Sequence, residues 1–396
     1  MQLARFLNKV FKKGGFILTD ANSKDYIIGE PGNNPMKLKI LKKDLNYKLL
    51  FHPDLYFGEA YTNGEIVIEN GSLTDFLDLA LMNFGRGELN FFSYLINRLR
   101  GSYRYLTNFN FIKKSKMNVS HHYDISDDLY DLFLDSKRQY SCAYFKNDND
   151  TLEVAQNNKI QHIIKKLNIK DNQKVLDIGC GWGSMCFEIA KQSECEVTGV
   201  TLSKNQYEYC IKKAKELKLD NQCHFELLDY RHLKGKFHRI VSVGMLEHVG
   251  RKFYKTFFKK INDLMTDDGI SLIHTIGSTL PKGPPAPFIQ SFVFPGGLVP
   301  SGSDLIDSVE KTGLILSDME SLILHYDKTL EAWLERFLKN REKAKRMYSE
   351  KFCKMWEFYL ASCSAAFKYR DLLVYQLQLV KDFQSLPNNR RDYIYS

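Results

Sequence analysis

The sequence predicts an α/β protein, with a Rossmann-like, doubly wound and mostly parallel sheet preceded by a small α+β domain. Three observations carry that prediction. From about Asn118 onward, short apolar runs that read as strands alternate with helical patterns. Those runs are near-continuously apolar, as expected of parallel strands covered on both faces. The first of them, in "VLDIGCGWGSM", ends in an acid and then three glycines at alternate positions. A turn of that kind lets backbone approach a ligand where a strand feeds a helix.

The elements follow in chain order. In "LARFLNKVF", Leu3, Phe6, Leu7, Val10 and Phe11 share one helical face, with Arg5, Lys9, Lys12 and Lys13 off it. This is the pattern of an interfacial helix, or of a helix docked on its own small domain. Within a first domain spanning 1–90, "KLKIL", "YKLLF" and "GEIVIENG" read as strands and "LTDFLDLALMN" as a helix. Residues 91–117 are basic and aromatic, and read as a linker with a helix, or alternatively as a lipid- or nucleic-acid-facing patch. In the third domain, 118–396, strands are expected at "KVLDIGC", "EVTGVTL", "CHFELLDY", "RIVSVGML" and "GISLIHTIG". Helices are expected from Gly183, from Ser203 to Leu219 and near Phe253 to Met265. The Pro- and Gly-rich stretch from Gly277 to Gly302 is long for a structureless connection and reads as a lid or binding loop. A strand-like "MESLILHY", a helical region from about Leu330 to Tyr369 and an alternating "LLVYQLQLV" complete the chain.

Composition bounds the function. No apolar run in the 396 residues approaches the roughly 20 needed to cross a bilayer. The basic N-terminus has charges inside its apolar run and no small-residue cleavage site, so it does not read as a signal peptide. Eight cysteines form no C-x-x-C pair and no cluster with histidine, which fits a reducing cytoplasm better than a disulfide framework; no metal site is expected. The formal charge of +9 suits an anionic partner without choosing between nucleic acid, an acidic metabolite and a phospholipid surface.

The ligand of the glycine turn is narrowed by spacing. Asp177, Gly179, Gly181 and Gly183 give G-x-G-x-G, whereas dinucleotide sites show G-x-G-x-x-G, and no phosphate-binding G-x-x-x-x-G-K-[ST] is present. A dinucleotide site also wants an acid about 20 residues on, where this chain has "TLSKNQ", Thr201 to Gln206. The spacing resembles the first motif of class I methyltransferases, whose ligand is S-adenosylmethionine. At the other strand ends, "RIVSVGML" delivers Glu247 and His248 and "GISLIHTIG" delivers His274 to the same face. A carboxylate and an imidazole converging there could bind a small ion or act as general acid and base. Each alone could equally be a cap or a core histidine.

The segment "HHYDISDDLYDLFLDSKRQYSCAYF", with "VLDIGCGWG", "GVTLSKNQ", "MLEHVG", "LIHTIGS", "FPGG", "HYDKTLEAW" and "FYLASCSAAF", resembles the cyclopropane-fatty-acyl-phospholipid synthase family from about Met117 to the end. The resemblance implies an enzyme of class I methyltransferase fold that adds the methyl carbon of S-adenosylmethionine across a cis double bond of an acyl chain. A proton is then lost to bound bicarbonate and a ring closes. Carried onto this sequence, it implies Cys142, Glu247, His274 and Tyr326 as the ion-binding cluster, with the backbone near Ile276. The implied donor-binding positions are Tyr140, Ser141, the turn from Val175 to Gly183 including Asp177, Gly179, Cys180, Gly181 and Gly183, then Thr201, Leu202, Ser203, Gln206, Tyr230 and Arg231. The family commonly shows tryptophan at or beside Tyr230, so the adenine contact there departs from its pattern. Cys363 matches a cysteine long assigned to the family's active site, but alkene methylation needs no thiol nucleophile, and a small buried side chain is the better reading.

The resemblance further implies anionic bilayers and unsaturated acyl chains as partners, a homodimer, and a cytoplasmic location at the inner face of a bacterial membrane. A same-family enzyme leaving a methylene or methyl branch is the near alternative. A nucleic-acid methyltransferase lacks support in any binding-module signature. A catalytically dead lipid binder should have lost the glycines or the cluster, and this chain keeps both.

Overall fold

The computed structural model describes residues 1–84, 126–280, 286–387 and 390–395. The connector 91–117 and the start of the "HHYDISDD" segment lie outside them. Contacts divide the chain into two compact units, and the division is not linear: of the described residues, the first unit holds 1–84, 286–295 and 330–372, and the second holds 126–280, 296–329 and those from 373 on. Two segments expected within a continuous domain from 118 therefore belong with the N-terminal part.

In the first unit, β1 (Gly15–Thr19), β2 (Asp25–Gly29), β3 (Lys37–Ile40) and β4 (Ile66–Glu69) form a sheet in the order β2-β1-β3-β4. The helix α1 (Gln2–Val10) turns its apolar face inward: Leu3, Ala4 and Phe11 are buried in the core of this unit, with Phe6, Leu7 and Val10 packed against it. Of the two expectations for this face, docking on its own domain is seen for Leu3, Ala4 and Phe11, while Phe6, Leu7 and Val10 stay partly exposed. "YKLLF", expected as a strand, lies in helix α2 (Leu45–Phe51). Leu45 and Leu49, one turn apart, are buried while Tyr47 and Phe51 are exposed, so period 3.6 and not 2 describes the run. Helices α3 (Pro53–Thr62) and α4 (Leu73–Phe84) follow.

The second unit is built on a seven-stranded sheet. Helix α5 (Leu152–Leu167) leads into β5 (Lys174–Ile178), α6 (Ser184–Gln192), β6 (Glu196–Thr201), α7 (Lys204–Glu216) and β7 (Cys223–Leu227). Then come β8 (Phe237–Val243), α8 (Tyr254–Leu264) and β9 (Met265–Ser278). After α9 (Pro287–Phe292), which belongs to the first unit, come α10 (Gly302–Glu310) and β10 (Ile315–Leu322). Helices α11 (His325–Lys339), α12 (Arg341–Met347) and α13 (Glu350–Tyr369) precede β11 (Leu372–Val380). The strand order is β10-β11-β9-β8-β5-β6-β7, with β5, β6, β7, β8 and β9 parallel and β10 antiparallel to β11.

Successive residues of one strand feed opposite faces, as a doubly wound sheet requires. Val175 and Val241 enter the core cluster that contains Ile160, Ile163 and Met185, while Leu176 and Ile240 enter the one that contains Phe257, Phe258 and Ile261. The Gly277–Gly302 stretch is partly ordered structure: it contains α9, and Ser301 returns to bridge Ser278 before capping α10 with a reciprocal capping box. The expected single helical region from Leu330 is three helices, and "MESLILHY" splits between the end of β10 and the start of α11.

Candidate active site

Strand β5 ends at Ile178 and the chain turns through Gly179, Gly181 and Gly183 with φ of 83°, 55° and 77°. That left-handed region suits residues without a Cβ. At Gly179 a Cβ would also lie 2.9 Å from the Met245 side chain, whereas at Gly181 it would meet open space. The turn borders an open cavity of about 180 Å³.

Of the expected donor-binding residues, Tyr140, Ser141, Asp177, Gly179, Cys180, Gly181, Thr201, Leu202, Gln206, Tyr230 and Arg231 line this cavity. Gly183 and Ser203 do not. Gly183 is the N-cap of α6, and the Ser203 hydroxyl accepts from Gln206 N to cap α7. The Thr201 hydroxyl donates to Gln206 Oε1 over 2.8 Å, so the Gln206 amide NH2 is what that side chain offers a ligand. Arg231 is held bidentate by Asp229, Nε to Oδ1 at 2.9 Å and Nη2 to Oδ2 at 2.6 Å. Tyr230 packs edge-on against Phe257 at 5.4 Å.

Asp177 sits at the cavity's base with its carboxyl pushed up to about 7 by burial, against the opposing pull of the Cys186 thiol and the Lys159 ammonium. Lys159, on α5, is a residue that sequence reasoning missed. Fully buried, it donates to Ser141 Oγ over 2.7 Å and lines the same cavity. Burial draws its ammonium down to about 8, while Asp135, Cys142 and Asp177 favour its charge. The Gln156 amide, one turn earlier, donates to the Ser141 carbonyl over 2.9 Å, so α5 grips Ser141 at both side chain and backbone. The signal for this was in "LEVAQNNKIQHIIKKL", where Gln156 and Lys159 fall among the apolar positions of an amphipathic helix.

The strand-end cluster is also in this unit. Val243 and His274 are register partners on β8 and β9, and Gly244 N donates to the His274 carbonyl over 2.9 Å. Glu247, on the one-turn helix Leu246–His248, is buried; its Oε1 accepts from Ile276 N at 2.6 Å. Its Oε2, also buried, finds no hydrogen-bond donor among the described residues. Burial pushes this carboxyl up to about 7, against the lowering by the Ile276 N–H and by the nearby Thr275 hydroxyl, which itself donates to the Ile276 carbonyl over 3.2 Å. The buried His274 is held well below its usual range, hence neutral, and with the Gln376 amide donating to Nδ1 over 3.2 Å its proton sits on Nε2. Cys142 is buried with its thiol pushed up, hence protonated, and its neighbour Ala143 N donates to Thr329 Oγ1 over 3.0 Å. Buried Tyr326 lies one turn before Thr329 on α11. His248 lines the cavity itself, burial holding its imidazole near 4. Cys363 belongs to the first unit, on α13; the residue is half-buried where a buried one was expected, and desolvation pushes its thiol up to about 12.

The arrangement is a ligand cavity at the carboxyl ends of a parallel sheet; Cys142, Glu247, His274 and Tyr326 lie in the same unit, but none of the four lines that cavity. Among the described residues no histidine, cysteine and carboxylate cluster suits a metal, and no helix is long and apolar enough to cross a membrane.

Comparison with known proteins agrees with this geometry. The family model for mycolic acid cyclopropane synthetase matches residues 111–377. The cyclopropane-fatty-acyl-phospholipid synthase of Escherichia coli strain K12 is 36% identical over 346 residues, covering 87% of this chain and 88% of that protein. A protein of Pseudomonas putida named "Probable fatty acid methyltransferase" is 36% identical over 285 residues, 69% of this chain and 72% of its own. The crystal structure of mycolic acid cyclopropane synthase CmaA1 complexed with SAH and CTAB superposes with a TM-score of 0.64 at 33% identity, over 67% of this chain and 97% of that one. The strand order, the glycine turn and these matches agree: the chain belongs to the mycolic acid cyclopropane synthetase family of S-adenosylmethionine-dependent methyltransferases.

Proposed function

We propose that the protein converts cis double bonds of unsaturated phospholipid acyl chains into cyclopropanes, with Cys142, Glu247, His274 and Tyr326 holding a bicarbonate ion that takes the departing proton. The observation that carries the reading is Glu247: one carboxyl oxygen is fixed by Ile276 N and the other is buried without a donor. An orphaned buried acceptor is costly unless a ligand satisfies it. A hydrogen-carbonate hydroxyl has the donor that this oxygen lacks, and the neutral His274 Nε2–H and the Tyr326 hydroxyl are donors suited to its oxygens; the Cys142 thiol, which donates to the Ala143 carbonyl over 3.3 Å, would have to turn to join them.

The methyl donor supplies an electrophilic carbon on a sulfonium, and bicarbonate supplies an oxygen base. The chain's own residues do the rest. Asp177, Gln206 and Thr201 fix the donor's polar groups, while Tyr140 packs against Tyr130 at 5.4 Å in an aromatic wall that also includes Trp182, 4.9 Å from Tyr130. Aromatic faces of this kind stabilise a cation that develops on the acyl chain once the alkene takes up the methyl group. Loss of a proton from that methyl group closes the ring. Cys363 is read as a packing residue, because a thiol pushed up to about 12 is not a nucleophile near neutral pH.

The test is incubation with S-adenosylmethionine and monounsaturated phospholipid vesicles, followed by fatty-acid mass analysis. A gain of one CH2 per double bond is expected. Glu247→Gln is expected to bind the donor normally and lose about 100-fold in product formation; full activity in that variant removes Glu247 from the mechanism. A second reading, in which a hydride from a partner reductant replaces proton loss and leaves a methyl branch two hydrogens heavier, is compatible with the broader name of the Pseudomonas relative, which specifies no ring. The same mass analysis separates the two.

A further inference from the structure

We propose that Arg138 is a positioning residue for the methyl donor, a latch that ties the Tyr140–Ser141 segment to helix α7 and sets how fast the donor and its spent product leave. The proposal rests on the reading of the cavity as the donor site.

Arg138 lines the cavity, two residues ahead of Tyr140. Its φ of 52° lies in the left-handed region, disfavoured for a side chain with a Cβ. A disfavoured conformation persists only where surrounding contacts over-determine it, and here they do. The guanidinium makes a bidentate pair with Asp131, Nε to Oδ1 and Nη2 to Oδ2 both at 2.6 Å, and reaches Asp127 Oδ2 at 3.5 Å. Its face lies 4.9 Å from the ring centroid of Tyr209. Tyr209 is on α7, about one turn after Gln206, which lines the cavity from the other side. One planar cation thus joins the two walls: the segment from Asp127 to Ser141, and the helix that follows β6. Lysine could not replace it, since an ammonium offers neither the fork nor the flat face.

Arg138 is kept distinct from the chemistry because it touches neither Glu247 nor His274 in any contact described above. The expected signature is therefore kinetic and confined to the donor. Arg138→Ala, Arg138→Gly and Arg138→Lys should each speed dissociation of S-adenosylhomocysteine, read by stopped-flow, about fivefold to tenfold. The KM for donor should rise and the KM for phospholipid should stay put. Tyr209→Leu should show part of that acceleration, and Arg138→Ala with Tyr209→Leu should be little worse than Arg138→Ala alone, because the two residues make one contact. The glycine variant separates side chain from backbone: it accommodates φ of 52° without the guanidinium. Wild-type dissociation in Arg138→Gly, or equal rises in both KM values, overturns the latch. Failure of the wild-type protein to bind S-adenosylhomocysteine at all overturns the reading of the cavity itself, and the latch with it.

Discussion

A buried charge states its environment more sharply than any apolar neighbour, and two residues here do so. Lys159 has no water to solvate it, and its ammonium lies among Asp135, Asp177 and the Ser141 hydroxyl. Removing it strands buried carboxylates. Lys159→Met is expected to lower stability by about 3 kcal/mol and to weaken donor binding about tenfold, measurable by chemical denaturation and titration calorimetry. Unchanged values for both would mean that the lysine is only a space filler. Asp177 titrates close to neutrality because burial raises its carboxyl to about 7. The folded state therefore holds a proton that the unfolded chain has released, so this group's contribution to stability falls as pH rises from the ordinary carboxylate range toward 7. Binding of a cationic donor runs the other way, since it favours the carboxylate. Donor affinity is expected to strengthen between about pH 5.5 and about pH 7.5, and Asp177→Asn should flatten that slope. Cys363→Ser should keep most of the activity. At this scale the sequence showed Asp177, Glu247 and His274, because a strand end is recognisable from the run that precedes it. It did not show Lys159, because the sequence reading assigned no element to Leu152–Leu167.

Elements form where local pattern and tertiary burial agree. Strands β5, β6, β8 and β9 were legible because both of their faces are covered, which leaves an unbroken apolar run. "YKLLF" was not, because five residues fit either period, and what decided was the burial of Leu45 and Leu49 together in the core of the first unit. In that unit α13 packs against α3 and α4, and Gly58 of α3 lies beside Phe288 of α9 and Phe358 of α13. A Cβ there would stand 2.5 Å from the rings of both Phe288 and Phe358. Gly58→Ala is therefore expected to destabilise by about 1–3 kcal/mol through overpacking, seen as a lower denaturation midpoint. A gain in stability, as a glycine in a helix interior would ordinarily give, would show that the rings move aside freely.

At the scale of the molecule, a formal charge of +9 favours anionic surfaces. Adsorption to vesicles of anionic phospholipid is expected to weaken as salt rises from about 0.05 M to about 0.5 M; binding indifferent to salt would assign the affinity to apolar contact instead. Helix α1 commits Leu3 and Phe11 to its own core, which leaves only the partly exposed Phe6, Leu7 and Val10 for such contact.

The sequence alone determined the doubly wound sheet, the glycine turn and the acids and histidines at strand ends, since each is written in periodicity and spacing over a few residues. Only the tertiary structure decided that 330–372 joins the N-terminal unit, which core takes the buried side chains of α1, that Lys159 reaches Ser141 and that Arg138 reaches Tyr209. An amphipathic pattern specifies that a face is buried, whereas the identity of the surface that buries it depends on residues far along the chain.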